Sequence, residues 1–113
     1  MSLGWVASAT YRDRKVENPW GEHLGRIKGA VGDPASGRVV YVVVTHGGFL
    51  GLGAKWFAVP QDALKPTFDD LRAFLAVDRS TLDRLPGFDK RHLPEAADPR
   101  LVRELLEPTV APP

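Results

Sequence analysis

The stretch HGGFLGLGAKWFAVP, His46 to Pro60, sets four glycines (Gly47, Gly48, Gly51, Gly53) within seven residues and places Lys55 after them. Closely spaced glycines let backbone N–H groups converge on an anion, so phosphate binding is the first chemistry to test. The spacing rejects it. A loop of the form G-x-x-x-x-G-K-[ST] needs glycine directly before the lysine and a hydroxyl after it, where this chain has Ala54 and Trp56. A dinucleotide loop begun at Gly51 and Gly53 needs a small residue where Trp56 stands and then a helix, whereas FAVP follows. The remaining role is mechanical: these glycines, with Gly21 and Gly37, take the positive φ angles and bulges where one strand swings into the next. Phe49, Leu50 and Leu52, lying among them, then either cap an open end of the sheet or protrude with Trp56 as a contact surface.

No other constellation supplies reaction chemistry. His23, His46 and His92 lack a second ligand at the spacing of a familiar metal motif, which leaves surface or hinge roles. No serine stands in G-x-S-x-G, and the chain has no cysteine. Asp33, Asp69, Asp70, Asp78 and Asp98 fall where turns and helix caps use carboxylates. Glu22, directly after the turn at Gly21, reads as half of a structural pair with Arg26, Lys28 or Lys15, because no second acid is identifiable. The sequence therefore implies no catalytic residue, no cofactor and no metal. Trp5, Trp20, Trp56, Tyr11, Tyr41, Phe49 and Phe57 suggest core packing more than a base-stacking platform, since only Arg26, Lys28, Arg38 and Lys55 accompany them as cations.

At 113 residues the chain suits one modest core. Its net charge is +1, with seven basic against five acidic residues up to Leu64 and eight against nine after it. Neither half has the basic excess of a protein that holds nucleic acid through phosphates. The longest apolar run, Val39 to Thr45, falls far short of the ~20 residues that span a bilayer, so direct membrane insertion is not expected. The absence of cysteine is compatible with a reducing compartment, and a cytoplasmic location is the expectation.

Lys15 to Val59 reads as short strands between turn signals, a pattern of small sandwiches and barrels. NPWGE (Asn18–Glu22) and GDPASGR (Gly32–Arg38) are hairpin turns. Between them HLGRIKGAVG alternates imperfectly, with Ile27 and Val31 expected on one face. RVVYVVVTH, Arg38 to His46, has almost no polar interruption and suits a central strand covered on both faces. Lys55–Val59 is a strand stopped by Pro60, PQDAL a tight helical turn, and Leu71–Val77 a last strand that would also suit a short helix.

Beyond Val77 the character changes to helices. Asp78 or Ser80 caps a short helix through Leu85, with Asp83 in a capping-box-like position, and Pro86-Gly87 ends it. DPRLVRELLEP has Asp98 as N-cap, Pro99 in the first turn and Pro108 at the exit. Its stripe of Leu101, Val102, Leu105 and Leu106 belongs to a helix too short to stand alone, so it must dock on the barrel or on a second subunit. Leu101 and Leu105 therefore join the interaction candidates. Pro108–Pro113 is expected to be an extended tail.

Val16 to Leu64 resembles the stand-alone bacterial form of the PRC-barrel domain. The likeness rests on Val16 and Asn18, then G-E-x-L-G-x-I (Gly21, Glu22, Leu24, Gly25, Ile27), and D-x-x-x-G-R-V-x-Y (Asp33, Gly37, Arg38, Val39, Tyr41). It continues through Gly47–Gly53, Lys55, Phe57, Val59 and Pro60. RLPGFDKRHLP, Arg84 to Pro94, is similar to the A-P-G-F-D segment that often follows, with Leu85 where alanine is usual. Ala54 departs from a position where an acidic residue is common. The resemblance implies a mainly β fold: a small, strongly bent, six-stranded barrel of SH3-like form over residues 7–77, followed at 78–113 by short C-terminal helices and the tail.

The same domain occurs in the cytoplasmic part of the photosynthetic reaction centre H subunit and in a ribosome maturation factor, where it supports assemblies and is not known for catalysis. The expectation is a non-enzymatic, self-associating interaction module with an unidentified protein partner. RNA or ribosome association, and support of a photosynthetic membrane complex, are the alternatives.

Overall fold

Among the described residues the β-branched and aromatic runs form seven strands. These are β1 (Gly4–Val6), β2 (Lys15–Glu17), β3 (His23–Asp33), β4 (Arg38–His46), β5 (Lys55–Val59), β6 (Leu64–Pro66) and β7 (Arg72–Leu75). The structure, a computed structural model, describes residues 2–48, 52–69 and 71–106. Phe49, Leu50, Gly51, Asp70 and the Pro108–Pro113 tail lie outside the described residues. Two helices, α1 (Arg79–Arg84) and α2 (Pro99–Leu106), follow.

The strand order β5-β4-β3-β2-β7-β6 explains the curl, with β1 pairing separately with β3. The two ends of that path, β5 and β6, are consecutive in the chain and joined only by Pro60 and a 3-10 turn at Gln61–Ala63. A sheet whose ends are tied so closely must roll up. This is the strongly bent six-strand barrel expected, with β1 as an additional strand that the sequence reading did not anticipate. All the pairs are antiparallel except β2 with β7.

The bending is concentrated in β3. Its pairing with β2 shifts register between Val16 and Glu17, and its pairing with β4 shifts between Ile27 and Gly29 and again between Val31 and Gly32. Each shift inserts an extra residue and reverses the inward and outward sides beyond it. The expectation that Ile27 and Val31 share a face is corrected by this: Ile27 lies in the main core and Val31 in a second cluster on the other side. β4 has the two-sided burial read from its composition. Val42 and Val44 point into the main core while Tyr41 and Val43 point into the second cluster.

The C-terminal extension is packed as part of the barrel. Leu82, Leu85 and Leu101 lie in the same core cluster as Val16, Leu24 and Phe57. Phe88, Leu93 and Ala97 cover the opposite face around Tyr41 and Val43. Backbone bonds tie this wrapping segment to the outer edge of β5: Phe88 N donates to Trp56 O at 2.8 Å and Asp98 N to Ala58 O at 2.9 Å. A sheet edge that would otherwise present unpaired groups is thus covered. Asp98 caps α2, accepting from Arg100 N at 2.9 Å, and Asp78 caps α1, accepting from Thr81 N at 3.1 Å.

Candidate functional site

Most polar side chains with chemical potential are engaged inside the fold. His46, expected at the surface or a hinge, is 3 % exposed. Its Nδ1 donates to Leu24 O at 2.5 Å and its Nε2 is hydrogen-bonded with Asp83 Oδ1 at 2.7 Å. Both ring nitrogens are thus engaged within the fold. Asp83 is not a capping-box residue, since its carboxylate anchors α1 to the end of β4. The His46 hydrogen bond holds the Asp83 carboxyl below the usual carboxylate range.

Lys55 completes this junction. Its ammonium donates to the carbonyls of Leu82 (3.2 Å), Asp83 (2.5 Å) and Leu85 (2.9 Å), the end of α1 where partial negative charge gathers. It is therefore withdrawn from the cationic set considered for RNA. Glu22 likewise has a different partner from the basic residues expected. Its Oε1 accepts from Asn18 Nδ2 at 2.8 Å and from Arg79 N, at the start of α1, at 3.2 Å. Asn18, 1 % exposed, also accepts from Trp20 N (3.1 Å) and Glu22 N (2.9 Å) and donates to Val77 O (3.2 Å). One side chain thus closes the turn and fastens it to the end of the barrel.

The glycine loop connects two antiparallel strands, and β5, not a helix, follows it. Gly21, Gly37, Gly47, Gly48 and Gly53 have positive φ. At Gly48 space is also short, since a Cβ there would lie 2.7 Å from Ala54 N and Leu52 O. Gly25 is constrained by contact alone, because a Cβ would sit 1.8 Å from Thr45 O. No group of three His, Cys, Asp or Glu side chains able to hold a metal occurs among the described residues.

The surface is different. A groove of about 900 Å³ runs beside β3 and β5, walled by Trp56 and Phe88 and edged by Arg12, Arg26, Lys28 and Lys90. Trp56 meets Phe88 and Trp5 edge-on, each with ring centroids 6.1 Å apart, and Lys28 Nζ stands 5.7 Å over the Trp56 ring. The structure thus brings Trp56, Arg26 and Lys28 together and adds Arg12, Phe88 and Lys90, which the sequence reading did not select. Phe88 was visible only as part of the P-G-F-D segment. Arg38 stands apart at the β3–β4 hairpin.

Of the other interaction candidates, Leu52 is exposed at the loop, whereas Phe49 and Leu50 lie outside the described residues. Leu101 is fully buried in the barrel's own core and Leu105 packs against that cluster. Of the two surfaces offered for the α2 stripe, the barrel takes Leu101 and Leu105, and Leu101 is not available to a partner. Trp5, Phe68 and Leu71 are exposed apolar side chains that the candidate set did not include. No helix among the described residues is long and apolar enough to cross a membrane.

No curated protein matches the chain. The PRC-barrel domain family matches residues 6–72, from β1 to the start of β7. That match spans more than half of the sequence and coincides with the rolled sheet, its bulged β3 and its glycine-jointed hairpins, so this chain belongs to the PRC-barrel domain family.

Proposed function

We propose that this protein is a non-enzymatic interaction and assembly module that associates with itself in the cytoplasm. The observation that carries the reading is a division between inside and outside. His46, Asp83, Lys55, Glu22 and Asn18 hold the barrel to α1, and no buried side-chain nitrogen or oxygen among the described residues lacks a partner. The surface meanwhile presents Trp5 (46 % exposed), Leu52 (78 %), Leu71 (65 %) and the fully exposed Phe68. Large apolar side chains left in water on a small protein mark contact surfaces. Membership of a non-catalytic domain family supports the same reading.

Sedimentation equilibrium of the full chain tests it. The expected result is a mass rising with concentration to a multiple of 12.4 kDa, with Phe68→Ser and Leu71→Ser together shifting the series toward monomer. A strict monomer across the whole range would count against self-association. RNA or ribosome association is the second reading, favoured by the clustering of Arg12, Arg26 and Lys28 on one groove.

A further inference from the structure

We propose that the groove between β3 and β5, where four cations border the Trp56–Phe88 wall, binds an acidic extended segment of a protein partner. This rests on reading the chain as a protein-interaction module, and it adds the chemistry of what is bound.

Charge selects the occupant. Arg12, Arg26, Lys28 and Lys90 face one carboxylate in the groove, Asp13, in a chain whose net charge is only +1. Positive charge is therefore gathered here and not spread over the surface. All four cations are solvent-exposed, and among the described residues only Arg26 is paired with a carboxylate, Asp13 at 3.3 Å. A volume of about 900 Å³ falls within the roughly 300–1,000 Å³ of ordinary ligand sites, enough for a short run of side chains. Ala54 adds apolar lining between the charges.

The rings favour peptide over RNA. Stacking a base requires an open aromatic face. Trp56 stands T-shaped to both Trp5 and Phe88 and has the Lys28 ammonium over its ring, so it is set as a wall. The overall charge balance also supplies no extended basic track for a polyanionic backbone. Carboxylates spaced along a peptide need only local cations, and an apolar side chain between them can rest against Trp56 and Phe88.

The test is titration of the full chain, followed by tryptophan fluorescence, with an acetylated Asp/Glu octapeptide carrying one central leucine. Its Asn/Gln counterpart and octauridylate serve as comparisons. The acidic peptide should bind saturably, at least tenfold more tightly than the amide counterpart, and weaken as salt rises. Lys28→Glu combined with Lys90→Glu should reduce affinity at least tenfold, and Arg103→Glu, on exposed α2 surface, should not. Equal affinity for the two peptides, an unchanged double variant, or tighter binding of octauridylate would overturn the proposal. Solution mass measured on the same samples separates the two levels. Self-association without peptide binding refutes the groove alone, and loss of both refutes the reading beneath it.

Discussion

Replacing Gly25 by alanine is the sharpest perturbation of this barrel, because the residue is needed for the space it leaves and not for an unusual φ. A Cβ at Gly25 would lie 1.8 Å from Thr45 O and 2.9 Å from Thr45 C, where real Cβ contacts essentially never fall below 3.0 Å. Thr45 belongs to β4, paired with Arg26 next door, and His46 beyond it donates to Leu24 O. Moving β4 away by more than 1 Å therefore strains the ladder and the His46 bond together. Two such bonds at about 0.5–1.5 kcal/mol each, plus about 1–3 kcal/mol for a buried acceptor left without a donor, give roughly 2–6 kcal/mol.

Gly37→Ala is the control. It has positive φ but nothing within 4 Å of a Cβ, so only the left-handed backbone cost of about 1–2 kcal/mol applies. Urea unfolding measures both variants. With an m-value of about 1–2 kcal/mol/M, Gly25→Ala should lower the midpoint by roughly 1–6 M or prevent folding at room temperature, with m unchanged where folding persists. A Gly25→Ala protein no less stable than Gly37→Ala would refute the close-approach reasoning.

Three further outcomes follow from the junctions. Asn18→Ala strips partners from Trp20 N, Glu22 N and Val77 O and should cost roughly 3–5 kcal/mol in urea unfolding; Asn18→Asp should not restore it, since a carboxylate there faces the Glu22 carboxylate and Val77 O. The Asp83 carboxyl is depressed in the folded state, so its contribution is present above the unfolded value near 4 and is lost as pH falls through the folded value. Stability measured from pH 5 downward should therefore fall more gently in Asp83→Asn, and the two curves should converge at the acid end. Burial pushes the Tyr41 phenol up to about 12, and its hydroxyl donates to Pro94 O at 2.8 Å. Its stabilising contribution is complete below the unfolded value near 10 and lost as pH rises through the folded one, so ultraviolet titration should show a tyrosine ionising near pH 12 as the barrel opens.

Local signals in the sequence carried the barrel and its turns. The uninterrupted β-branched run of β4 reports burial on both faces, and Asp78 and Asp98 mark their helices because a cap acts on backbone only two or three residues away. The junction around α1 was not legible, because its partners are remote: His46 and Asp83 are 37 positions apart, Lys55 and Asp83 28, and Glu22 and Arg79 57. Pattern within a window sees a lone histidine, a lysine beside aromatics and a turn glutamate, and cannot tell that one small helix takes up all three. The groove was missed for the same reason. Arg12, Lys28 and Lys90 come from three distant segments that only the roll of the sheet and the returning chain at Phe88 bring together. β1 escaped notice because three residues, Gly4–Val6, are too few to show a period.

The polar interior of this barrel serves structure, and binding belongs to the outside. Backbone amide spectra of the full chain across a dilution series test this residue by residue. Concentration-dependent shifts should cluster around Trp5, Leu52, Phe68 and Leu71, with the amides of Asn18, His46 and Lys55 unmoved. Shifts centred on the His46–Asp83–Lys55 junction, or a spectrum unchanged at every concentration, would contradict it.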